Sequence, residues 1–335
     1  MNFKKIFKKE KPIIVAEIGN NHEGDFNKAI NMINAASKSG ADAVKFQTYK
    51  VESYYNKKFT EKKRFNRLKK FQLTFEEFEK LSKYSKKKGV IFYSTPFDIE
   101  SAIFLNKIQK LFKISSGDNN FYPLINVIKS FGKPLIISTG LLSHREIKEL
   151  TDKLDSYKNK DKLGILHCVS SYPAHTNDLN LRSISFLKKK FPKFNIGYSD
   201  HSLGIDSCKI AMMLGAFMIE KHFTLNKNTS NFHDHKISAE PKELLSLVNF
   251  SKNFIPMIGD FGKNPKRKEL SNVKNLRRSA YFKRKMDYGT KIFLKDIVWL
   301  RPYKNSSIKN LKEIGGKELN KNVKKNDLVT KGVLK

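Results

Sequence analysis

The sequence predicts an α/β fold: a (β/α)₈ barrel of the TIM type followed by a small β-rich module. Three observations carry this reading: eight short apolar runs, helical patterns between most of them, and a change of pattern after residue 258. The runs are Ile13–Ile18, Ala43–Gln47, Val90–Ser94, Leu111–Ser115, Pro134–Ser138, Leu163–Cys168, Asn195–Ser199 and Ala216–Lys221. Each has the length of a buried strand. Between them, Phe26, Ala29, Ile30, Ile33 and Ala36 mark one helix face at spacings of three and four. Phe75, Phe78, Leu81 and Ser85 mark a second, and Ile205, Cys208, Ala211 and Met212 a third. Gly40, Gly89, Gly132 and Gly215 stand where a helix should stop before the next strand. Eight such alternations fit a barrel. The alternative, an open doubly wound sheet, would carry a glycine-rich phosphate loop after its first strand. The segment Gly19-Asn20-Asn21-His22-Glu23-Gly24 is not that loop.

The barrel is expected over residues 1–258, with a final helix from Pro241 to Met257. Residues 259–275 are rich in Lys, Asn and Gly, include Pro265, and read as a linker. Residues 276–335 are too few for further barrel units and read as β-rich. They contain an echo: Met286, Gly289, Ile292 and Ile297 repeat the spacing of Val323, Asn326, Val329 and Leu334.

A 39% hydrophobic content over 335 residues supplies a sizeable core. Two cysteines make no disulfide framework, so a reducing, cytoplasmic setting is expected. The basic N-terminal cluster precedes an apolar run, Pro12–Ala16, too short for a signal segment. No stretch approaches the roughly 20 apolar residues of a membrane span. The formal charge of +34 raises the question of a polyanionic partner. The cations, however, are mostly Lys and scattered, as at Lys62-Lys63-Arg64, Lys86-Lys87-Lys88 and Lys188-Lys189-Lys190. Arg, the usual reader of bases, is scarce, so neither nucleic acid nor membrane is expected as a partner. The charge should still steer anionic substrates inward.

Barrel chemistry sits at the C-terminal strand ends, and these ends are polar throughout. In order they carry Glu17; Lys45 and Gln47; Ser94-Thr95; Lys113, Ser115 and Ser116; Ser138-Thr139; His167 and Ser170; Ser199-Asp200-His201; and Glu220-Lys221-His222. A period of two turns Lys45 and Gln47 one way and Phe46 the other, and puts Glu220 and His222 on one face. Lysines inside a barrel mouth are costly without an anion. Lys45, Lys113, Thr95, Ser116 and Ser138 together suit a phosphate and a carboxylate. Any one of them alone is an ordinary strand-end residue. Glu17 is the candidate general acid or base; a carboxylate merely paired with a lysine is the plainer account. His201 and His222 end adjacent strands, where neutral imidazoles suit a divalent cation with open positions. His233-Asp234-His235 is the rival cluster, in a segment that otherwise reads as a surface turn.

The segments Ala16-Glu17-Ile18-Gly19-Asn20-Asn21-His22-Glu23-Gly24, Val44-Lys45-Phe46-Gln47-Thr48, Ser94-Thr95-Pro96-Phe97, Lys113-Ile114-Ser115-Ser116-Gly117, Ser138-Thr139-Gly140, Gly197-Tyr198-Ser199-Asp200-His201 and Glu220-Lys221-His222-Phe223-Thr224 resemble, in order, the sialic acid (N-acetylneuraminate) synthase family. The tail, with Arg277-Arg278-Ser279 and Trp299-Leu300-Arg301-Pro302, is similar to that family's antifreeze-like (SAF) domain. The resemblance implies condensation of phosphoenolpyruvate with N-acetylmannosamine or a related amino-sugar aldehyde, with release of phosphate. It implies a divalent cation on His201 and His222, typically manganese, with magnesium or cobalt as alternatives. Glu17 would move protons. Lys45, Thr95, Lys113, Ser116, Ser138, Ser170 and Ser199 would hold phosphoenolpyruvate, and Gln47, Tyr172 and Asp234 the sugar. Arg301 would reach the sugar across a domain-swapped homodimer. The chain departs from the family pattern at Ser170, where makers of N-acetylneuraminate can carry Asn, at Asp118, which replaces a common Glu, and at Arg277, where an apolar sugar contact is expected. The run Ser170-Ser171-Tyr172-Pro173 also resembles relatives that make pseudaminic or legionaminic acid, the alternative products. A non-catalytic polyanion- or carbohydrate-binding protein is the rival from another class. The joint presence of Glu17, Lys45, His201 and His222 stands against it.

Overall fold

The computed structural model describes residues 2–7, 12–154 and 162–335. Lys8, Lys9 and Lys11 of the N-terminal basic cluster lie outside the described residues. The chain forms two compact units, Met1–Gly259 and Asp260–Lys335.

The first unit is built on eight strands: β1 (Ile13–Gly19), β2 (Ala43–Thr48), β3 (Ile91–Pro96), β4 (Phe112–Ile114), β5 (Leu135–Ser138), β6 (Leu163–Cys168), β7 (Asn195–Asp200) and β8 (Met218–His222). They form one parallel sheet in the order β3-β2-β1-β8-β7-β6-β5-β4. β3 and β4 lie side by side, so the sheet curls into a barrel. The alternation of apolar runs and helices therefore resolves as expected, with ends shifted by one or two residues. β4 is the shortest strand, well inside Leu111–Ser115, because Ser116–Asp118 turns into a 3₁₀ segment.

The helices form where the periodicity places them. Asp25 caps Phe26–Lys38 by accepting from the Lys28 N–H, and the helix buries Ala29, Met32, Ile33 and Ala36. Thr74 and Glu77 cap Phe75–Lys87 reciprocally, and Phe78, Leu81 and Ser85 are buried. The last helix, Pro241–Ile258, opens on a proline and stops at Gly259 with φ +64°. Two helices between β2 and β3 escaped the sequence reading: Val51–Tyr54 and Lys62–Phe71. The second buries only Phe65, Leu68 and Phe71 on an otherwise basic surface.

Inside the barrel, side chains stack in layers. Val15, Ala43, Tyr93, Leu111, Ile136, Leu166 and Met218 form an apolar floor, plugged from below by Phe3 and Phe7. Two residues further along the same strands stand Glu17, Lys45, Thr95, Lys113, Ser138, Cys168 and Glu220, which line the mouth. Side chains at i and i+2 share a face, so an apolar layer and then a polar layer follow from the strand pattern alone.

Outside the barrel wall, β7 and β8 are locked by a buried ion pair. The Lys221 Nζ lies 2.6 Å from Asp200 Oδ2, and both side chains are wholly buried. Lys221 also donates to the Ser202 carbonyl, and Asp200 accepts from the Tyr198 hydroxyl and the Ser202 N–H. Burial acts against the Asp200 charge, but Lys221 and these donors hold its carboxyl below the usual range. Asp200→Asn would leave a buried ammonium unpaired. It should cost about 3–5 kcal/mol of stability, read as a lowered denaturation midpoint; an unchanged midpoint would contradict this.

The second unit pairs β9 (Ser279–Phe282) with β10 (Ile297–Leu300) antiparallel. The spacing echo has a structural basis. Met286 and Val323 form an antiparallel bridge, each N–H donating to the other's carbonyl. Gly289 and Asn326, at matching places in the echo, both take left-handed backbone angles, φ +74° and +68°. Residues 259–275, read as a linker, include the short helix Arg267–Ser271 and lead into Val273–Leu276. Neither helix buries a residue, which is why no apolar period announced them.

Candidate active site at the barrel mouth

The mouth encloses a cavity of about 670 Å³. On its floor, two lysines and two carboxylates form one buried network. Lys45 Nζ lies 2.9 Å from Glu17 Oε2 and 3.6 Å from Glu220 Oε1. Lys113 Nζ lies 3.2 Å from the same Glu220 oxygen, which also accepts from the Ser199 hydroxyl at 2.9 Å. Lys45 donates to Thr95 Oγ1 at 3.3 Å.

This arrangement splits the two carboxyls. Burial, partly offset by Lys45 and reinforced by Glu220, pushes Glu17 up to about 7. Burial also works to raise Glu220, but Lys113 and Lys45 overcome it and pull the group down to about 2. Divergent carboxyls in one pocket are the usual mark of a proton-handling group beside a permanent charge. Burial holds the Lys113 ammonium below its usual range despite Glu220, whereas Glu17 and Glu220 keep Lys45 above its own against the cost of burial.

Around the network, several polar atoms find no partner among the described residues. Ser138 Oγ, Ser170 Oγ and Glu220 Oε2 are buried without a hydrogen-bond partner among the described residues. Leaving such groups unpaired is costly, so the site is complementary to a polar ligand. Gly140 permits the arrangement. Its N–H donates to Ser116 Oγ at 3.1 Å, and a side chain there would come within 2.2 Å of Ser170 Oγ. Ser116 and Ser170 both line the cavity.

Gln47 donates to Glu17 Oε1 at 3.3 Å and accepts from Asn20 at 2.9 Å. His201 and His222 converge with ring centroids 5.4 Å apart, and Tyr172 covers His201 at 4.1 Å. His201 Nδ1 donates to the Val169 carbonyl at 2.8 Å; burial acts against the charged ring, but Cys168 and this bond outweigh it and raise its pKa above the usual range. His222 Nδ1 is buried without a hydrogen-bond partner, 3.7 Å from Asp234 Oδ2. Burial, then the cations around it, hold His222 well below its usual range, in the neutral form that ligates metals. No group of three or more metal-ligating side chains occurs among the described residues. The protein thus offers two imidazoles and leaves other positions open, which fits an exchangeable divalent cation.

The rival cluster does not converge. It opens the short helix His233–Ile237 instead of forming a surface turn. His233 stays at the rim, while His235 is wholly buried with Nδ1 2.7 Å from the Thr224 hydroxyl. Asp234 turns inward, beside His222, and both it and His233 line the mouth. Arg301 belongs to the second unit. There it is exposed and its Nε donates to the Leu276 carbonyl at 2.9 Å. Several cavity residues lay outside the expected set, Glu220, Asn20 and Arg67 among them. Glu220 was marked by its place two residues before His222. Asn20 and Arg67 carried no such signal, since loop folding alone brings them to the mouth.

The model of the NeuB family matches residues 32–263, and that of the SAF domain matches residues 277–334. The chain is 36% identical over 333 residues to an N,N'-diacetyllegionaminic acid synthase of Campylobacter jejuni, covering 96% of this chain and 99% of that one. It is 33% identical over 288 residues to the human N-acetylneuraminate-9-phosphate synthase, covering 83% and 79%. The crystal structure of an N-acetylneuraminic acid synthetase from Leptospira borgpetersenii, in complex with citrate, superposes with a TM-score of 0.71 at 37% identity, covering 78% and 90%. Fold and site define a barrel enzyme of the sialic acid synthase type with an appended SAF domain. The chain belongs to the NeuB family.

Proposed function

We propose that this chain is a nonulosonic acid synthase that joins phosphoenolpyruvate to an open-chain amino-sugar aldehyde. The observation that carries the reading is the buried Lys45–Glu17–Glu220–Lys113 network beneath unsatisfied serine hydroxyls. It is a floor built for a small, doubly anionic substrate. Lys45 and Lys113 hold the phosphate and carboxylate of phosphoenolpyruvate, with Thr95, Ser116, Ser138, Ser170 and Ser199 as hydroxyl partners. Gln47, Tyr172 and Asp234 orient the sugar. The enol carbon attacks the aldehyde carbon, water adds to the resulting cationic carbon, and phosphate departs. Glu17 handles the protons. His201 and His222 would hold a divalent cation, manganese by family resemblance, and when bound it supplies Lewis-acid polarisation of the aldehyde oxygen.

In this reading residues 1–258 are the catalytic domain, 259–275 the linker and 276–335 the SAF domain. The active form is a homodimer in which Arg301 of one subunit serves the other's sugar. A cytoplasmic setting suits phosphoenolpyruvate as substrate. No helix among the described residues is long and apolar enough to cross a membrane. The sugar is N-acetylmannosamine or a diacetamido-trideoxyhexose. The extent of the match to the legionaminic acid synthase favours the latter, with a pseudaminic acid precursor as the further alternative.

The test is phosphate release from phosphoenolpyruvate with each sugar and manganese. Release with at least one sugar is expected; none with any would overturn the reading. Within the same assay, Lys45→Ala and Lys113→Ala should each weaken phosphoenolpyruvate binding roughly tenfold or more, the worth of a charged hydrogen bond. Unchanged affinity in both would make these lysines structural.

A further inference from the structure

Arg67 stands out among the cavity-lining cations. It lies on the helix Lys62–Phe71, which the β2 loop carries over the mouth. The helix is held firmly. Phe65, Leu68 and Phe71 are buried, and the Tyr49 hydroxyl donates to the Leu68 carbonyl at 3.1 Å. Gly24 presses against its end so closely that a side chain there would meet the Lys70 carbonyl at 2.2 Å. The Arg67 guanidinium packs 5.7 Å over the Phe232 ring, and its Nε is buried. That Nε has no hydrogen-bond partner among the described residues. Its neighbour Arg64, by contrast, donates to the Tyr55 hydroxyl at 2.7 Å. Asp234 lines the same cavity, two residues beyond Phe232. A guanidinium whose Nε has no partner among the described residues and a carboxylate acceptor therefore both line the mouth.

We propose that Arg67 is a specificity-determining residue that donates to an acceptor oxygen on the sugar, at the end remote from the aldehyde. The assignment rests on the synthase reading, which puts phosphoenolpyruvate on the floor and the sugar toward the mouth. A planar guanidinium suits a fixed acceptor, either the single oxygen of an acylamido group or hydroxyl or two oxygens of a phosphate. Lysine would not replace it, because its point charge lacks the fork.

The test measures KM for both substrates in wild type, Arg67→Met and Arg67→Lys. The sugars are N-acetylmannosamine, its 6-phosphate and a 2,4-diacetamido-2,4,6-trideoxyhexose. Sugar KM should rise tenfold or more in both variants, with phosphoenolpyruvate KM within twofold of wild type and an unchanged thermal midpoint. A penalty confined to the 6-phosphate identifies a phosphate oxygen as the acceptor, and one shared by the others identifies a hydroxyl or acylamido oxygen. Wild-type turnover with unchanged sugar KM in Arg67→Met overturns the assignment alone, as does an equal rise in both KM values. A wild-type chain that releases no phosphate with any of the three sugars overturns the synthase reading and the assignment together.

Discussion

His201→Ala and His222→Ala are each expected to lower metal-supported turnover at least about a thousandfold while leaving the barrel folded. The magnitude follows from the several kcal/mol that a Lewis acid contributes, at about 1.4 kcal/mol per tenfold. Retention of the fold follows from position. Both rings face the cavity, and the strands that carry them are held from outside by Lys221 and Asp200. The two variants should differ in detail. His201 is oriented by its bond to the Val169 carbonyl, a support that fixes the tautomer. His222 Nδ1 has no such bond among the described residues, so its ring would rely on a bound cation for orientation under the proposed function. Calorimetric titration of manganese into each variant, with thermal unfolding as control, reads binding apart from turnover. Stoichiometric binding and near-normal rate in both would dismiss this pair and return attention to His233.

Much of this architecture is written in simple periods. The floor-to-mouth step from Val15 to Glu17, Ala43 to Lys45 and Leu111 to Lys113 needs only a two-residue repeat and a barrel. The strand spans and the capped helices after Asp25 and Thr74 follow from equally local rules. The antiparallel bridge between Met286 and Val323 likewise grows from an echo visible in the chain.

What the sequence hid depends on tertiary burial. His233, Asp234 and His235 look equivalent in sequence, yet packing sends His235 to Thr224, leaves a half-exposed His233 at the rim of the mouth and turns a buried Asp234 into it. Arg67 sits in a helix whose composition is that of a solvated basic surface, and only its docking against Gly24 and Phe232 brings a donor into the mouth. The separation of Glu17 from Glu220 was equally invisible. It arises because Glu220 faces two ammonium groups and Glu17 is closely paired with one.

That separation leads to the second large effect. Glu17→Gln should lower kcat/KM by about 10²–10⁴-fold, the usual contribution of a general acid or base. In the proposed reaction the aldehyde oxygen gains negative charge as the carbon–carbon bond forms, and then a proton. Glu17, raised to about 7, is protonated below that pH and in that reading would supply it. Wild-type kcat/KM should therefore fall as pH rises through about 7, and the variant should lose that limb while keeping phosphoenolpyruvate affinity, since Glu220 still holds Lys45. Stability gives an independent reading. A carboxyl whose folded pKa is raised from 4.5 to about 7 binds its proton more tightly in the folded chain. It therefore costs stability progressively as pH climbs through that window. Glutamine carries no such cost, so the stability difference should shift in favour of the variant between pH 4.5 and 7 and level off above. A variant with a flat stability difference but an unchanged activity limb would move proton transfer to another group.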